Sequence, residues 1–330
     1  MGSFRLDVRN LTVSIGAVNK INILDNVSLS FSSGELIGVL GPSGSGKSTL
    51  LNAICGFRKA DKGTIIINNM DLYKNLESIR PLIGLVPQDD IIHRDLSVYK
   101  TLKYSAQLRL KPGTGNAVIE NKVKSLLEML ELTERKATKI KKLSGGQRKR
   151  VSIGIELLTG PRIMFLDEPT SGLDPALEEK LMKILRQQAD ENRLILVSTH
   201  ILKSLDVLDL VLVMFKGKLV FYGPPAELSR YFEVKEASDI FHKLTKKSPF
   251  EWQKLFTGSA LFKQYISQRL AETFPSSTFG HIEGETLSEV VVKDIPAPTE
   301  KANNKLTPEA IQVELELLKK ELGKLNSPEE

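Results

Sequence analysis

Residues Glu35–Cys55 read ELIGVLGPSGSGKSTLLNAIC, and this stretch decides the fold. Glu35 to Leu40 is a short apolar run of the kind that forms a strand buried on both faces. Gly41-Pro42-Ser43-Gly44-Ser45-Gly46-Lys47-Ser48-Thr49 follows it, and Leu50 to Cys55 continues as helix. A flexible Gly/Ser turn would supply the glycines but not the flanking strand and helix. In this order the three parts make an anion cradle. The glycines let successive backbone N–H groups turn inward, and the positive end of the helix dipole adds to the attraction. Lys47 is placed to reach the β and γ phosphates of a nucleotide, and the Ser48 hydroxyl to bind Mg²⁺. Residues 41–49 are therefore the expected ATP-binding set.

Outward from the cradle, Leu82–Val86, Ile163–Leu166 and Leu194–Ser198 are further short apolar runs alternating with helical stretches. That pattern predicts an α/β fold with a parallel sheet covered by helices. Between about Asp90 and Gly160 the strand signal disappears. Ser97–Leu110, Asn116–Leu132 and Gly145–Leu158 predict three helices there, an inserted helical subdomain. Residues 235–273 read as a helical extension, with helices over Ala237–Leu244 and Pro249–Thr273, and the lone Trp252 is expected in a small core. Residues 274–305 are rich in Pro, Ser, Thr and Glu and read as a linker. In 306–330, Thr307-Pro308 caps a helix whose Ile311, Leu315, Leu318, Leu322 and Leu325 make a short heptad seam. Docking of this amphipathic helix on its own domain is preferred to a zipper.

The strand Ile163–Leu166 ends in Asp167-Glu168, so two carboxylates emerge at the C-terminal sheet edge, where open α/β folds bind ligands. An isolated pair of this kind is ordinarily a solvated loop; the buried strand before it reverses that expectation. Asp167 suits Mg²⁺, and Glu168 is placed to orient an attacking water and accept its proton. Upstream, Leu143-Ser144-Gly145-Gly146-Gln147 closely resembles the signature of ATP-binding cassette (ABC) proteins. Gln88 matches the family's glutamine loop, Ser171-Gly172-Leu173-Asp174 its dimer loop, and His200 its switch histidine.

The resemblance covers residues 4–234. It implies a P-loop NTPase (RecA-like) core with an antiparallel β subdomain and the inserted helical subdomain, followed here by the helical C-terminal extension. It also implies that ATP held by one cassette meets the signature of a second, so that two cassettes close head to tail. Ser144 is a fitting N-cap for such a helix, whose dipole favours the anion. The implied catalytic residues are Glu168, His200 and Lys47, and the implied Mg²⁺ ligands are Ser48, Gln88 and Asp167. One departure concerns the base. Cassettes usually stack an upstream aromatic on adenine, whereas residues 14–19 hold none. Ile15 or Val18 is left to supply apolar contact, which leaves adenine and guanine both open.

Arg148-Lys149-Arg150-Val151-Ser152-Ile153-Gly154, His93-Arg94-Asp95-Leu96-Ser97-Val98 and Tyr222-Gly223-Pro224-Pro225 resemble the G (white or eye-pigment-precursor) subfamily. This implies a cassette powering export of a lipid-like or other hydrophobic compound through a membrane domain, separate or missing. The spellings Ser198-Thr199-His200 and Leu173-Asp174-Pro175 are more like bacterial cassettes, which points to a bacterial or cyanobacterial member. No apolar run approaches the roughly 18 to 20 residues a spanning helix needs, and the N-terminus has no apolar leader core. Cys55 is the only cysteine, which rules out an internal disulfide and fits a reducing compartment. The expected place is the cytoplasmic face of a membrane. A net charge of +6 over 330 residues reads as a solvated surface, and no nucleic acid is expected. The competing class is a soluble ABC ATPase acting on ribosomes or DNA. Such proteins carry two cassettes or very long coiled coils, and this chain has neither.

Overall fold

Two sheets of different character meet across one helix. The structure, a computed structural model, describes residues 3–16, 20–199 and 205–272. The first sheet has the order β10-β9-β3-β8-β7-β6, made of Lys218–Gly223, Leu210–Phe215, Leu36–Leu40, Leu194–Ser198, Ile163–Asp167 and Ile83–Val86. Its strands run parallel except β10, which returns antiparallel on β9. β3, β7, β8 and β9 are buried along their whole length. Continuous apolar runs are required here because successive side chains enter opposite cores. Ile163 and Phe165 face one core, Met164 and Leu166 the other.

The second sheet, β2-β1-β4-β5, is antiparallel and comprises Ile21–Ser32, Arg5–Ile15, Lys62–Ile67 and Met70–Asp71. Its β1–β2 register shifts between Val8 and Leu11, where Asn10 takes φ 50° and its N–H donates to Ser28 Oγ. A bulge filled by Asn tolerates that left-handed backbone. Helix α1, Lys47–Ile54, contributes Leu50, Leu51 and Ile54 to the core shared with this sheet.

After a short helix α2, Leu76–Ile79, and strand β6, the inserted helices are α3, Val98–Arg109, α4, Asn116–Met129, and α5, Gly145–Leu157. They agree with the predicted segments to within a residue or two, except that α4 stops three residues early. Ser97 caps α3 by accepting from Lys100 N, so the start was encoded locally. The chain then returns through β7, α6 (Pro175–Asp190) and β8.

Beyond β10 lie α7, Glu227–Phe232, α8, Ile240–Leu244, and α9, Pro249–Thr257. The single helix expected over Pro249–Thr273 is divided. α9 ends at Gly258, and Ser259 begins a new turn by accepting from Phe262 N, followed by π-helical Lys263–Gln268. Ser259 supplies the cap of the new turn. This strap closes over the antiparallel sheet. Phe256 and Ile266 are buried in its core, Arg269 pairs with Glu35 at 2.8 Å, and Arg5 donates to Glu272 O at 2.6 Å. Trp252 is buried, but it joins the large core under the parallel sheet rather than a small one of its own, its Nε1 donating to Leu244 O at 3.0 Å. The expected linker at 274–305 and the amphipathic helix at 306–330 lie outside the described residues.

Candidate functional site: a nucleotide cradle and a detached signature

Three parallel strands end together at one edge of the sheet. Beyond β3 the loop of residues 41–46 turns sharply, and Gly41 has φ 148°. A Cβ there would lie 2.4 Å from Met214 O and 2.5 Å from Ser45 Oγ, so only glycine fits. Within the cradle Ser45, Gly46 and Lys47 are buried, Pro42 and Thr49 half-buried, and Ser43, Gly44 and Ser48 exposed. Lys47 lies across its own loop, donating to Gly41 O at 2.8 Å and Pro42 O at 3.2 Å. Burial lowers its pKa below the usual lysine value, opposed by the charges of Glu168 and then Asp167. Those two carboxylates therefore belong to the same electrostatic site as the ammonium.

Their position follows from strand register. Asp167 ends β7 opposite Ser198 at the end of β8. The Ser198 hydroxyl donates to Asp167 Oδ1 at 2.5 Å and accepts from Glu168 N at 2.8 Å, which ties the two strand ends together. Glu168 adopts φ 46°, an uncommon backbone for a non-glycine residue and one often met at functional sites. Gln88, two residues past β6, donates from Nε2 to Glu168 Oε2 at 3.4 Å. Lys47, Asp167, Glu168 and Gln88 are thus brought together as expected. His200 lies outside the described residues; its neighbour Thr199 donates its backbone N–H to Val39 O at 3.1 Å.

The Leu143–Gln147 segment is built differently. Leu143 is buried, and Ser144 N-caps α5 in a reciprocal capping box with Gln147: Ser144 Oγ accepts from Gln147 N and Gln147 Oε1 accepts from Ser144 N. Ser144 and Gly145 face solvent. A Cβ on Gly146 would lie 2.9 Å from Leu173 Cδ2, so the signature helix and the loop 171–174 pack closely. Asp174 N-caps α6, its Oδ1 accepting from Ala176 N and Leu177 N. Among the described residues no hydrogen bond joins 143–147 to 41–49.

Residues 24–171 match the family model for ABC transporters. This chain belongs to that family. An ABC transporter ATP-binding/permease protein of Mycobacterium tuberculosis is 45% identical over 237 residues, 72% of this chain and 27% of that protein. ABC transporter G family member 5 of Oryza sativa subsp. japonica is 35% identical over 219 residues, 64% of this chain and 28% of that protein. The chain thus spans about a quarter of the length of these relatives. A dimeric cassette structure in a post-hydrolysis state, bound to ADP and Pi, superposes with a TM-score of 0.62 at 29% identity, covering 67% of this chain and 98% of that one. The cassette binds ATP and is an ATPase.

The oxygen donors near the phosphate loop suit Mg²⁺ in kind. Ser48 offers a hydroxyl, Gln88 an amide oxygen and Asp167 the carboxylate oxygen not engaged by Ser198. Among the described residues there is no cluster of three or more His, Cys, Asp or Glu that would make an all-protein cage. Mg²⁺ favours a sparse protein set completed by phosphate and water. Ile15 sits opposite Ile21 in register, and the two are 43% and 62% exposed. Val18 is outside the described residues. The sequence reading missed Ser198 as the link between Asp167 and Glu168; its signal was a hydroxyl ending an otherwise apolar strand.

Proposed function

We propose that the cassette pairs head to tail with a second cassette, hydrolyses ATP at two shared sites, and thereby drives a G-type membrane domain that exports a hydrophobic or lipid-like compound. The observation that carries this reading is the separation of Lys47, Asp167 and Glu168 from an exposed, capped signature at Ser144. Each is half of a phosphate site. The names of the relatives, an ATP-binding/permease protein and G family members, support a membrane partner.

In the proposed reaction the backbone N–H groups of residues 41–49 and the Lys47 ammonium hold the β and γ phosphates. Ser48, Gln88 and Asp167 would hold Mg²⁺, which would supply neutralisation of the phosphate charge. Glu168 orients the attacking water and accepts its proton, held in place by Ser198 below and Gln88 beside it. His200 acts on the γ-phosphate as the switch residue. From the other cassette, the N–H groups at the start of α5 face the same phosphate, because the first turn of a helix has no intrahelical acceptors for them. Residues 171–174 pack on the signature helix and line the shared interface.

The membrane domain would seat in a groove of about 770 Å³ lined by residues that include Phe57, Leu76, Arg80, Leu85, Arg109 and Glu156. Phe57 at its rim is 77% exposed, an apolar side chain that a partner helix would cover. The cytoplasmic face of a membrane is the place this assembly requires. Among the described residues no helix is long and apolar enough to cross a bilayer. Fractionation separates this from a soluble ATPase of ribosomes or DNA: the chain sediments with membranes in the first case and with ribosomes or nucleic acid in the second. The pairing itself is tested by Glu168→Gln with ATP in analytical ultracentrifugation. A shift to twice the chain mass is expected; a species that stays monomeric at saturating ATP rejects the shared site.

A further inference from the structure

Lys149 lies on the turn of α5 that follows the signature, yet it is buried, only 6% exposed. Its ammonium donates to Pro87 O at 3.1 Å and Gln88 O at 2.8 Å, and pairs with Asp90 Oδ1 at 3.2 Å. A lysine has three N–H donors and no acceptor, so these contacts satisfy it completely. Asp90 is in turn held by Ser152 Oγ at 3.1 Å and approached by Arg148 Nε at 3.7 Å, both from α5. The glutamine loop is thus clamped to the helix that carries Ser144.

The geometry has a direct consequence. Two consecutive carbonyls, Pro87 and Gln88, turn toward one ammonium, which fixes the peptide plane from which the Gln88 side chain departs toward Glu168. Five residues earlier the same helix begins at Ser144, which in the proposed pairing serves the other nucleotide. We infer that Lys149 is a positioning residue that joins the two nucleotide sites: a displacement of Gln88 by one nucleotide moves the start of α5, and with it the phosphate contact offered to the other. The neutral and positively charged alternatives differ here. A methionine keeps the aliphatic stem but releases both carbonyls, whereas an arginine has a flat fork that cannot converge on three acceptors in the same way.

The inference rests on the assignment of Gln88 to the nucleotide site made above, and the experiment separates the two. Turnover by the full chain is measured against ATP concentration for Lys149→Met, Gln88→Ala and the double variant, together with ATP binding to the single chain. Lys149→Met is expected to lower kcat about tenfold and to bring the Hill coefficient toward one, with single-chain ATP affinity changed by less than about twofold. In the Gln88→Ala background the same substitution is expected to change kcat by less than about twofold, because the two act through one path. If Gln88→Ala is impaired and Lys149→Met costs the same factor in both backgrounds, the positioning role is overturned while the Gln88 assignment stands. If Gln88→Ala turns over like the parent chain, both fall. Should Lys149→Met unfold, because it strands the Asp90 carboxylate, Lys149→Met/Asp90→Asn removes that charge and carries the same comparison.

Discussion

The end of the parallel sheet and the start of α5 are the two halves of the proposed phosphate site, but they are built on opposite plans. At the sheet edge the functional groups are engaged within the chain: Lys47 with two loop carbonyls, Asp167 with Ser198, and Glu168 with Ser198 and Gln88. At α5 the capping box occupies the side chains of Ser144 and Gln147 together with the N–H groups of both, and Ser144 and Gly145 at the helix start are exposed. A preorganised electrostatic site works because its dipoles are fixed before the substrate arrives. The sheet edge satisfies that condition in a single chain. In the proposed pairing the signature meets a nucleotide only when another cassette brings one, so the contrast would separate binding by one chain from turnover by two.

The strongest way to break this contrast is Glu168→Gln. Loss of the general base is expected to lower steady-state phosphate release about a thousandfold while leaving ATP binding intact. Near-normal release would remove Glu168 from the chemistry and with it the self-sufficient half of the comparison. Next in size is Ser144→Arg, which puts bulk at the exposed helix start. Turnover is expected to fall about a hundredfold, comparable to removing phosphate-directed donors elsewhere, with no change in ATP binding by the separate chain. Mixing this variant with Lys47→Ala sharpens the point. Each is expected to be impaired alone, but their mixed dimer contains one site with an intact cradle and an intact signature, so phosphate release is expected to rise on mixing.

The difference between the regions also explains what the sequence disclosed. The sheet edge was legible because buried parallel strands demand continuous apolar runs, and the residues just past each run, Gly41, Gln88 and Asp167, must then lie at one edge. The α5 start was legible for another reason: Leu143–Gln147 resembles the family signature and Ser144 is a fitting N-cap, a local signal to which the structure adds the reciprocal bond with Gln147. Ser198 and Lys149 were not, since their roles depend on which strand and which loop stand beside them, and spacing along the chain holds no trace of that. The division of Pro249–Thr273 was written locally in Ser259, but the helical periodicity running through both halves concealed it.

A smaller effect is expected at Asp174, which caps α6 and also lies in the loop packed on the signature helix. Asp174→Ala should reduce stability by about 1 kcal/mol in denaturant unfolding, the usual consequence of losing an N-cap acceptor. Asp174→Asn keeps an acceptor oxygen. If the Asn variant regains stability but not turnover, the carboxylate has a role at the interface beyond the cap; if it regains both, the loop contributes shape alone.

The smallest expected effect is also the one that most finely separates the two regions. Phosphate binding favours the charged form of Lys47, so ATP affinity falls as pH rises through the pKa of that ammonium. Burial has already lowered this pKa, and the charges of Glu168 and Asp167 oppose the lowering, Glu168 the more strongly. Glu168→Gln removes that opposition, so the protonated form loses support and its pKa drops further. The alkaline limb of ATP affinity is therefore expected at lower pH in Glu168→Gln than in the parent chain. Ser144→Arg should leave the limb where it is, since no hydrogen bond links the signature to the loop of Lys47 among the described residues. ATP titrations of the separated chains from about pH 7 to about pH 10, the span below the free lysine value, measure both. Equal displacement by the two variants would mean that the signature acts on the cradle within one chain, and the division between a self-sufficient binding site and a borrowed catalytic half would no longer hold.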